Sequence, residues 1–221
     1  ADKPRQPGSS IKIVNYSYAL SNGLTTSTII PDTPVVFFVE GQPPYTPRNY
    51  EGEFRGNLTL RSALAESRNV PAVRVLHSIG VKNMVELGQK MGITTWNDSS
   101  NYGLSLTLGG GEVKLVDLAR VYATVANYGR SPELSSVLKV TNYEGKILEE
   151  FKCIANEVQE ASLVNQEVIA SSETAQVALS VKDNKCDFPQ VLDPRVTYLI
   201  TDILRDNNAR TPAFGANSLL V

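Results

Sequence analysis

Histidine is almost missing from this sequence. With His77 alone among 221 residues, any histidine-dependent triad would have to use that residue, and multi-histidine metal sites are excluded. Cysteine is equally scarce. Cys153 and Cys186 are too few for a zinc ribbon or an iron–sulfur centre. An excess of either charge is also lacking: 21 Lys+Arg against 23 Asp+Glu leaves a formal net charge of −2, with no electrostatic footprint for tracking phosphates, so no nucleic-acid partner is expected. No apolar run reaches 18 residues and no basic-then-apolar leader opens the chain, so any targeting signal or membrane anchor is expected outside this stretch. What is present is ordinary globular material: 42% hydrophobic residues, 15 Gly and 12 Pro, enough length for a buried core. An enzyme of this composition would take its base from Lys, Asp or Glu.

Periodicity and punctuation predict a mostly helical chain. Ser9 is placed as the N-cap of a helix over 9–22 that is apolar nearly all round and is stopped by Gly23. Residues 31–56 carry five prolines and read as ordered loop, with Val35–Val39 able to form a short strand. Helices follow over 58–66, 71–79 and 82–91, with Pro71 in a first turn where its missing amide costs nothing. After Gly109-Gly110-Gly111 comes the clearest amphipathic helix, with Leu115, Leu118, Ala119, Tyr122, Ala123 and Ala126 on one face, which is expected to be core. A strand, turn and strand are expected over 134–151 around Asn142–Gly145. Residues 153–190 are polar and acidic and read as an insertion or small lobe, before Asp193-Pro194 caps a last helix.

Ser9-Ser10-Ile11-Lys12 fits S-x-x-K, which puts a lysine one turn after a serine on the same helix face. A lysine whose pKa is depressed by burial or a neighbouring cation can take a serine's proton, and a helix N-terminus supplies positive potential for an oxyanion. Ser136-Val137-Leu138-Lys139 also fits, but strand geometry would send its ends to opposite faces. Ser67-Arg68-Asn69 fits S-x-N between two helices, and Ser99-Ser100-Asn101 matches it equally well as a turn bonded to its own backbone. The triple glycine lacks the following Gly-Lys-[Ser/Thr] of a phosphate loop and reads as close backbone packing beside a cleft. His77 and Trp96 read as surface or core residues.

Context separates these candidates. Arg5–Lys12, Tyr45-Thr46-Pro47-Arg48-Asn49-Tyr50, Phe54-Arg55-Gly56, Leu60–Val73 and Leu106–Glu112 each resemble, in the same order, segments of the transpeptidase domain of class A penicillin-binding proteins, across 4–152 and 191–215. The resemblance implies an α+β, β-lactamase/transpeptidase-like fold, with a helical lobe beside a partial antiparallel sheet. It also implies that Ser9 is the nucleophile forming an acyl-enzyme with peptidoglycan stem peptides or β-lactam antibiotics. Lys12 would be its base, Ser67 a proton relay and Asn69 a hydrogen-bond partner of Lys12 and substrate, with no cofactor. A bacterial envelope location follows, at the outer face of the cytoplasmic membrane, with an upstream glycosyltransferase domain and membrane anchor in the parent chain. A β-lactamase or D,D-carboxypeptidase of the same fold, and a non-catalytic scaffold module, are the alternatives.

Three features depart from that pattern. No lysine precedes Thr-Gly or Ser-Gly, so the third motif of the family is absent, and the chain is expected to be a domain truncated before it and inactive alone. Ile13 stands where the family usually has proline, a conservative change for packing. Residues 153–190 are longer than expected; a disulfide between the bracketing Cys153 and Cys186 would close ~34 residues and stabilise by roughly 3–4 kcal/mol, the alternative being two unpaired thiols. An incomplete sheet would leave an unpaired edge, favouring self-association of the isolated chain.

Overall fold

A 3-10 turn, Gly8–Ile11, leads directly into helix α1, Lys12–Ser21. Ser9 therefore lies inside that turn and caps nothing, which corrects the expectation for it: Pro7 already has helical dihedrals, so no extended residue remains to act as an N-cap. The computed structural model describes residues 2–39, 41, 43–151 and 188–218. They fall into two compact units, 1–133 with 189–221, and 134–188.

The first unit is built around α1, which is buried on nearly every side and packs against α3 (Asn69–Ile79), α4 (Val81–Lys90) and α6 (Pro194–Arg205). Its Ile11, Ile13, Val14 and Tyr16 join Leu60, Val73, Leu76, Met84, Met91, Trp96, Leu106, Ile200 and Ile203 in one apolar core. Each such side chain contributes about 1.5–3 kcal/mol on burial. Gly80 separates α3 from α4, and Asp193 caps α6 by accepting the Arg195 amide at 2.8 Å. Thr59 does the same for α2 (Leu60–Ala65) through the Ser62 amide at 3.1 Å.

Within 31–56, Val35–Val39 forms no strand; only Phe37 and Tyr45 pair across an isolated bridge. The strands of this unit are instead β1 (Ile29–Asp32) and β2 (Gly56–Thr59), antiparallel, with Asp32 opposite Gly56. Helix α5 spans Leu115–Ala126 as the periodicity requires, but the buried residues are Asp117, Val121, Thr124 and Val125. Part of the apolar stripe expected to be core is turned outward, with Leu115 68% exposed and Tyr122 39%, while Leu118 is half-buried and packs against the core. Asp117 fixes that rotation by accepting the Thr94 amide at 2.8 Å and hydroxyl at 2.7 Å. A final helix, α7 (Asn207–Phe214), follows α6; Asp206 caps it through the Ala209 amide at 2.9 Å.

The second unit is described at 134–151 and 188, where β3 (Lys139–Thr141) and β4 (Ile147–Glu150) form an antiparallel hairpin. Asn142 organises its turn by accepting the amides of Glu144 and Lys146 at 3.0 and 2.8 Å. Cys153, Cys186 and nearly all of 153–190 lie outside the described residues.

Candidate active site

Residues three apart eclipse in a 3-10 helix, which turns once every three residues. The turn before α1 thus aligns Ser9 with Lys12, and both side chains line a cavity of about 170 Å³ with Ile13, Ser67 and Tyr122. Ser9 is exposed, and its hydroxyl makes no hydrogen bond among the described residues. Backbone contacts hold the segment in place. Arg5 and Val113 exchange amide–carbonyl bonds of 2.9 and 2.8 Å, and Gly109, with φ +96°, lies so close to Gly8 that a Cβ there would sit 2.4 Å from the Gly8 nitrogen. The glycine run is close backbone packing beside the nucleophile candidate, as its lack of a phosphate-loop lysine implied.

Lys12 is 1% exposed. Its ammonium donates to the Ser67 carbonyl at 2.6 Å, the Asn69 Oδ1 at 2.8 Å and the Ser67 hydroxyl at 3.2 Å, so all three of its donors have acceptors. Burial, and then the positive charge of Arg68, lower its pKa from 10.5 to about 7. The two S-x-x-K and S-x-N motifs therefore meet across 55 residues of chain. The second copies do not: Ser99–Asn101 is an exposed turn capped by Asp98 through Ser100, and Lys139 is exposed on the hairpin of the other unit.

The Ser67 backbone explains how its hydroxyl reaches the lysine. Helix α2 ends with the Ser67 amide bonded to the Leu64 carbonyl and the Arg68 amide to the Ala63 carbonyl, both 2.9 Å, the bond pattern of a Schellman termination. Its left-handed position, usually glycine, is here Ser67 with φ +55°. A side chain in this conformation costs about 1–2 kcal/mol. The return for that cost is a hydroxyl and a carbonyl both aimed at Lys12.

Composition and periodicity gave no sign of the buried polar frame behind this loop. Asp32, 0% exposed at the end of β1, accepts Arg68 Nε at 2.9 Å and Asn49 Nδ2 at 2.7 Å. Asn49 Oδ1 in turn accepts the amides of Asn69 and Val70 at 3.0 and 3.2 Å, so it serves as the cap of α3. Arg68 also donates to the Glu53 carbonyl at 2.6 Å, and Asn69 Nδ2 to that of Arg48 at 3.0 Å. Burial pushes the Glu66 carboxyl up while Arg55 and Arg68 draw it back. Only the family resemblance of 45–50 pointed towards Asn49.

A second cavity, about 530 Å³, shares Ser9 and Ser67 with the first and extends over Asn49, Tyr50, Glu51, Arg68 and Asn69 to Ala213 and Phe214. Helix α7, which the sequence reading missed, forms that far wall. It is moored by Arg55 to the Pro212 carbonyl at 2.9 Å and by Arg61 to Asp206 at 2.9 Å. Tyr122 reaches the cleft from α5 and donates to the Ser10 carbonyl at 3.0 Å. An exposed serine beside a buried amine poised near neutrality suits proton transfer from a hydroxyl, and the two cavities share Ser9, Ser67 and Phe214 in their walls.

The family described as "Penicillin binding protein transpeptidase domain" matches residues 1–185. Penicillin-binding protein 1A of Rickettsia prowazekii is 32% identical over 201 residues, covering 90% of this chain and 24% of that protein. The Neisseria lactamica protein of the same name is 31% identical over 219 residues, covering 97% and 23%. The solved structure of penicillin-binding protein 1A from Haemophilus influenzae superposes with a TM-score of 0.70 at 26% identity, over 93% of this chain and 30% of that one. Penicillin-binding protein A of Mycobacterium tuberculosis shares the fold, with a TM-score of 0.65 at 17% identity over 95% of this chain and 44% of that one. This chain spans about a quarter of the length of the curated relatives. Its serine–lysine cleft, mixed α/β fold and matched residues make it a member of the penicillin-binding-protein transpeptidase family.

Proposed function

We propose that this chain carries the acylating centre of a peptidoglycan D,D-transpeptidase, with Ser9, Lys12, Ser67 and Asn69 as its working residues. Neutral Lys12 takes the Ser9 proton as Oγ bonds to the carbonyl carbon of the penultimate D-Ala of a stem peptide. The C–N bond to the terminal D-Ala breaks, and the proton passes through the Ser67 hydroxyl to the leaving amine. An acceptor amine then attacks the acyl-enzyme, returning the proton to Ser9 by the reverse route. A β-lactam enters the same first step and stays as the acyl adduct. Asn69 holds Lys12 and donates to the substrate amide. The observation that carries this reading is Lys12, buried with a pKa of about 7 and bracketed by Ser67 and Asn69 beside the exposed Ser9.

The chain has no Lys-Thr-Gly or Lys-Ser-Gly. A missing oxyanion donor costs about 100- to 1,000-fold, so on this reading the 221-residue chain alone is nearly inactive. The full-length protein would combine this domain, with 153–190 as an insertion or small lobe, with a membrane anchor and glycosyltransferase domain at the outer face of the cytoplasmic membrane. The test is to give the full-length protein a pentapeptide-bearing muropeptide. Cross-linked dimer with free D-Ala, both lost in Ser9→Ala, is expected. Free D-Ala without dimer would instead make it a carboxypeptidase, and neither product would overturn the enzyme reading.

A further inference from the structure

The turn that carries Ser9 is gripped by α5 and the segment leading into it. Ahead of the turn, Arg5 and Val113 exchange their amide–carbonyl bonds; within it, the Tyr122 phenol donates to the Ser10 carbonyl at 3.0 Å. Val113 lies just before α5 and Tyr122 is about two turns along it, so one stretch of chain holds both ends of 5–10. Asp117, bound to the Thr94 amide and hydroxyl, sets the rotation of α5 that brings the Tyr122 ring to the cleft. From inside the turn, the Ser10 hydroxyl donates to the Pro7 carbonyl at 2.6 Å. Burial raises the Tyr122 pKa, so the phenol keeps the proton it donates.

The bond falls where the backbone has two options. In the 3-10 form of Gly8–Ile11, Ser9 and Lys12 eclipse. Wound instead as a continuation of α1, the same two residues would stand about 60° apart around the axis. A 3-10 turn has the poorer internal hydrogen bonds, so holding that form calls for support from outside. A carbonyl oxygen has two lone pairs and can accept from the phenol as well as from the helix, and a carbonyl drawn outward lengthens its α-helical bond. Taking the transpeptidase reading as its basis, we infer that Tyr122 is a positioning residue for acylation: its phenol holds the Ser10 carbonyl so that the turn keeps its 3-10 form and Ser9 stays in line with Lys12. The ring walls the cavity around Ser9, Lys12 and Ser67, and the hydroxyl carries the positioning.

The experiment is stopped-flow acylation of the full-length protein by benzylpenicillin, which separates the dissociation constant of the first, non-covalent complex from the acylation rate constant. Both constants belong to the molecules that react, so a loss of stability that only lowers the reactive fraction moves neither. Tyr122→Phe keeps the ring and removes the hydroxyl. The rate constant is expected to fall about tenfold, because small misplacements of a reacting group cost up to about 100-fold, while the dissociation constant stays within about twofold. The loss of rate as pH drops through about 7, where Lys12 takes up its proton, is expected to stay where it is in the wild type. An unchanged rate constant in Tyr122→Phe overturns the inference. Weaker binding at an unchanged rate overturns it too, by making the residue a substrate contact, as does a displaced acidic limb, by placing the phenol in the proton transfer. A wild type that is never acylated at Ser9 overturns instead the transpeptidase reading beneath it.

Discussion

Ser67 sits where a helix terminus would ordinarily place glycine, and this sets local stability against chemistry. Ser67→Gly removes the cost of a Cβ at φ +55° and should raise unfolding free energy by about 1 kcal/mol in urea titrations. In the full-length protein the same change removes the hydroxyl beside Lys12 and should slow penicillin acylation at least tenfold. A variant that is less stable, or equally fast, contradicts the role given to that side chain. Lys12 carries the larger penalty. Its folded pKa of about 7 lies below the ordinary 10.5, so below pH 7 both folded and unfolded states hold the proton and the full cost of the buried ammonium is present. Between those values only the unfolded state holds the proton, and stability recovers by about 1.4 kcal/mol per pH unit. Above 10.5 the penalty is gone. Lys12→Met should therefore be more stable than wild type by a few kcal/mol at pH 6, with the gap narrowing towards pH 10; a constant gap between denaturation curves at the two pH values would refute the shift.

At the scale of elements, the helices were legible because their punctuation is local. Gly23, Pro71, Gly80, Gly92 and Asp193-Pro194 bound or open helices in the folded chain much as their backbone chemistry dictates. The strands β1 and β2 were not, because four residues containing Pro31, or opening on Gly56, leave no alternation to detect. Helix α7 escaped for a similar reason: with Pro212 inside it and no buried residue, it has no apolar period, and its place comes from Arg55 and Arg61 elsewhere in the chain. For α5 the period was right and the meaning only partly so, since Leu118 of the expected face packs against the core while Leu115 is exposed. Periodicity shows that a face is apolar; what covers that face depends on neighbours, and Asp117 bound to Thr94 turns part of the stripe outward. The catalytic candidates Ser9, Lys12, Ser67 and Asn69 were legible through motif and family order, while Asp32 was not, since no short pattern reports which carboxylate will be buried. The contact between Gly109 and Gly8 makes a further prediction at this scale. Gly109→Ala places a methyl against the backbone of the residue before Ser9, so acylation in the full-length protein should drop at least tenfold while Gly110→Ala, which meets the Ser105 side chain first, should cost less. Equal losses would mean that the contact does not position the serine.

At the scale of the whole molecule, unit 1 exposes apolar side chains away from the cleft, Leu115 on α5 and Tyr198 on α6, each 68% exposed. Exposed apolar surface of this kind favours association. The isolated chain should therefore sediment as dimers or larger species at micromolar concentration, and Leu115→Gln with Ala119→Glu should shift it towards monomer; a wild-type monomer at those concentrations contradicts this. Among the described residues no helix is long and apolar enough to cross a membrane.

The most direct test of the central claim is to treat the full-length protein with benzylpenicillin at pH 8, digest it and locate the adduct by mass spectrometry. The account predicts one penicilloyl group on the peptide bearing Ser9, absent in Ser9→Ala and strongly reduced in Lys12→Met. An adduct on any other serine, or undiminished labelling of Ser9 when Lys12 is methionine, would contradict it.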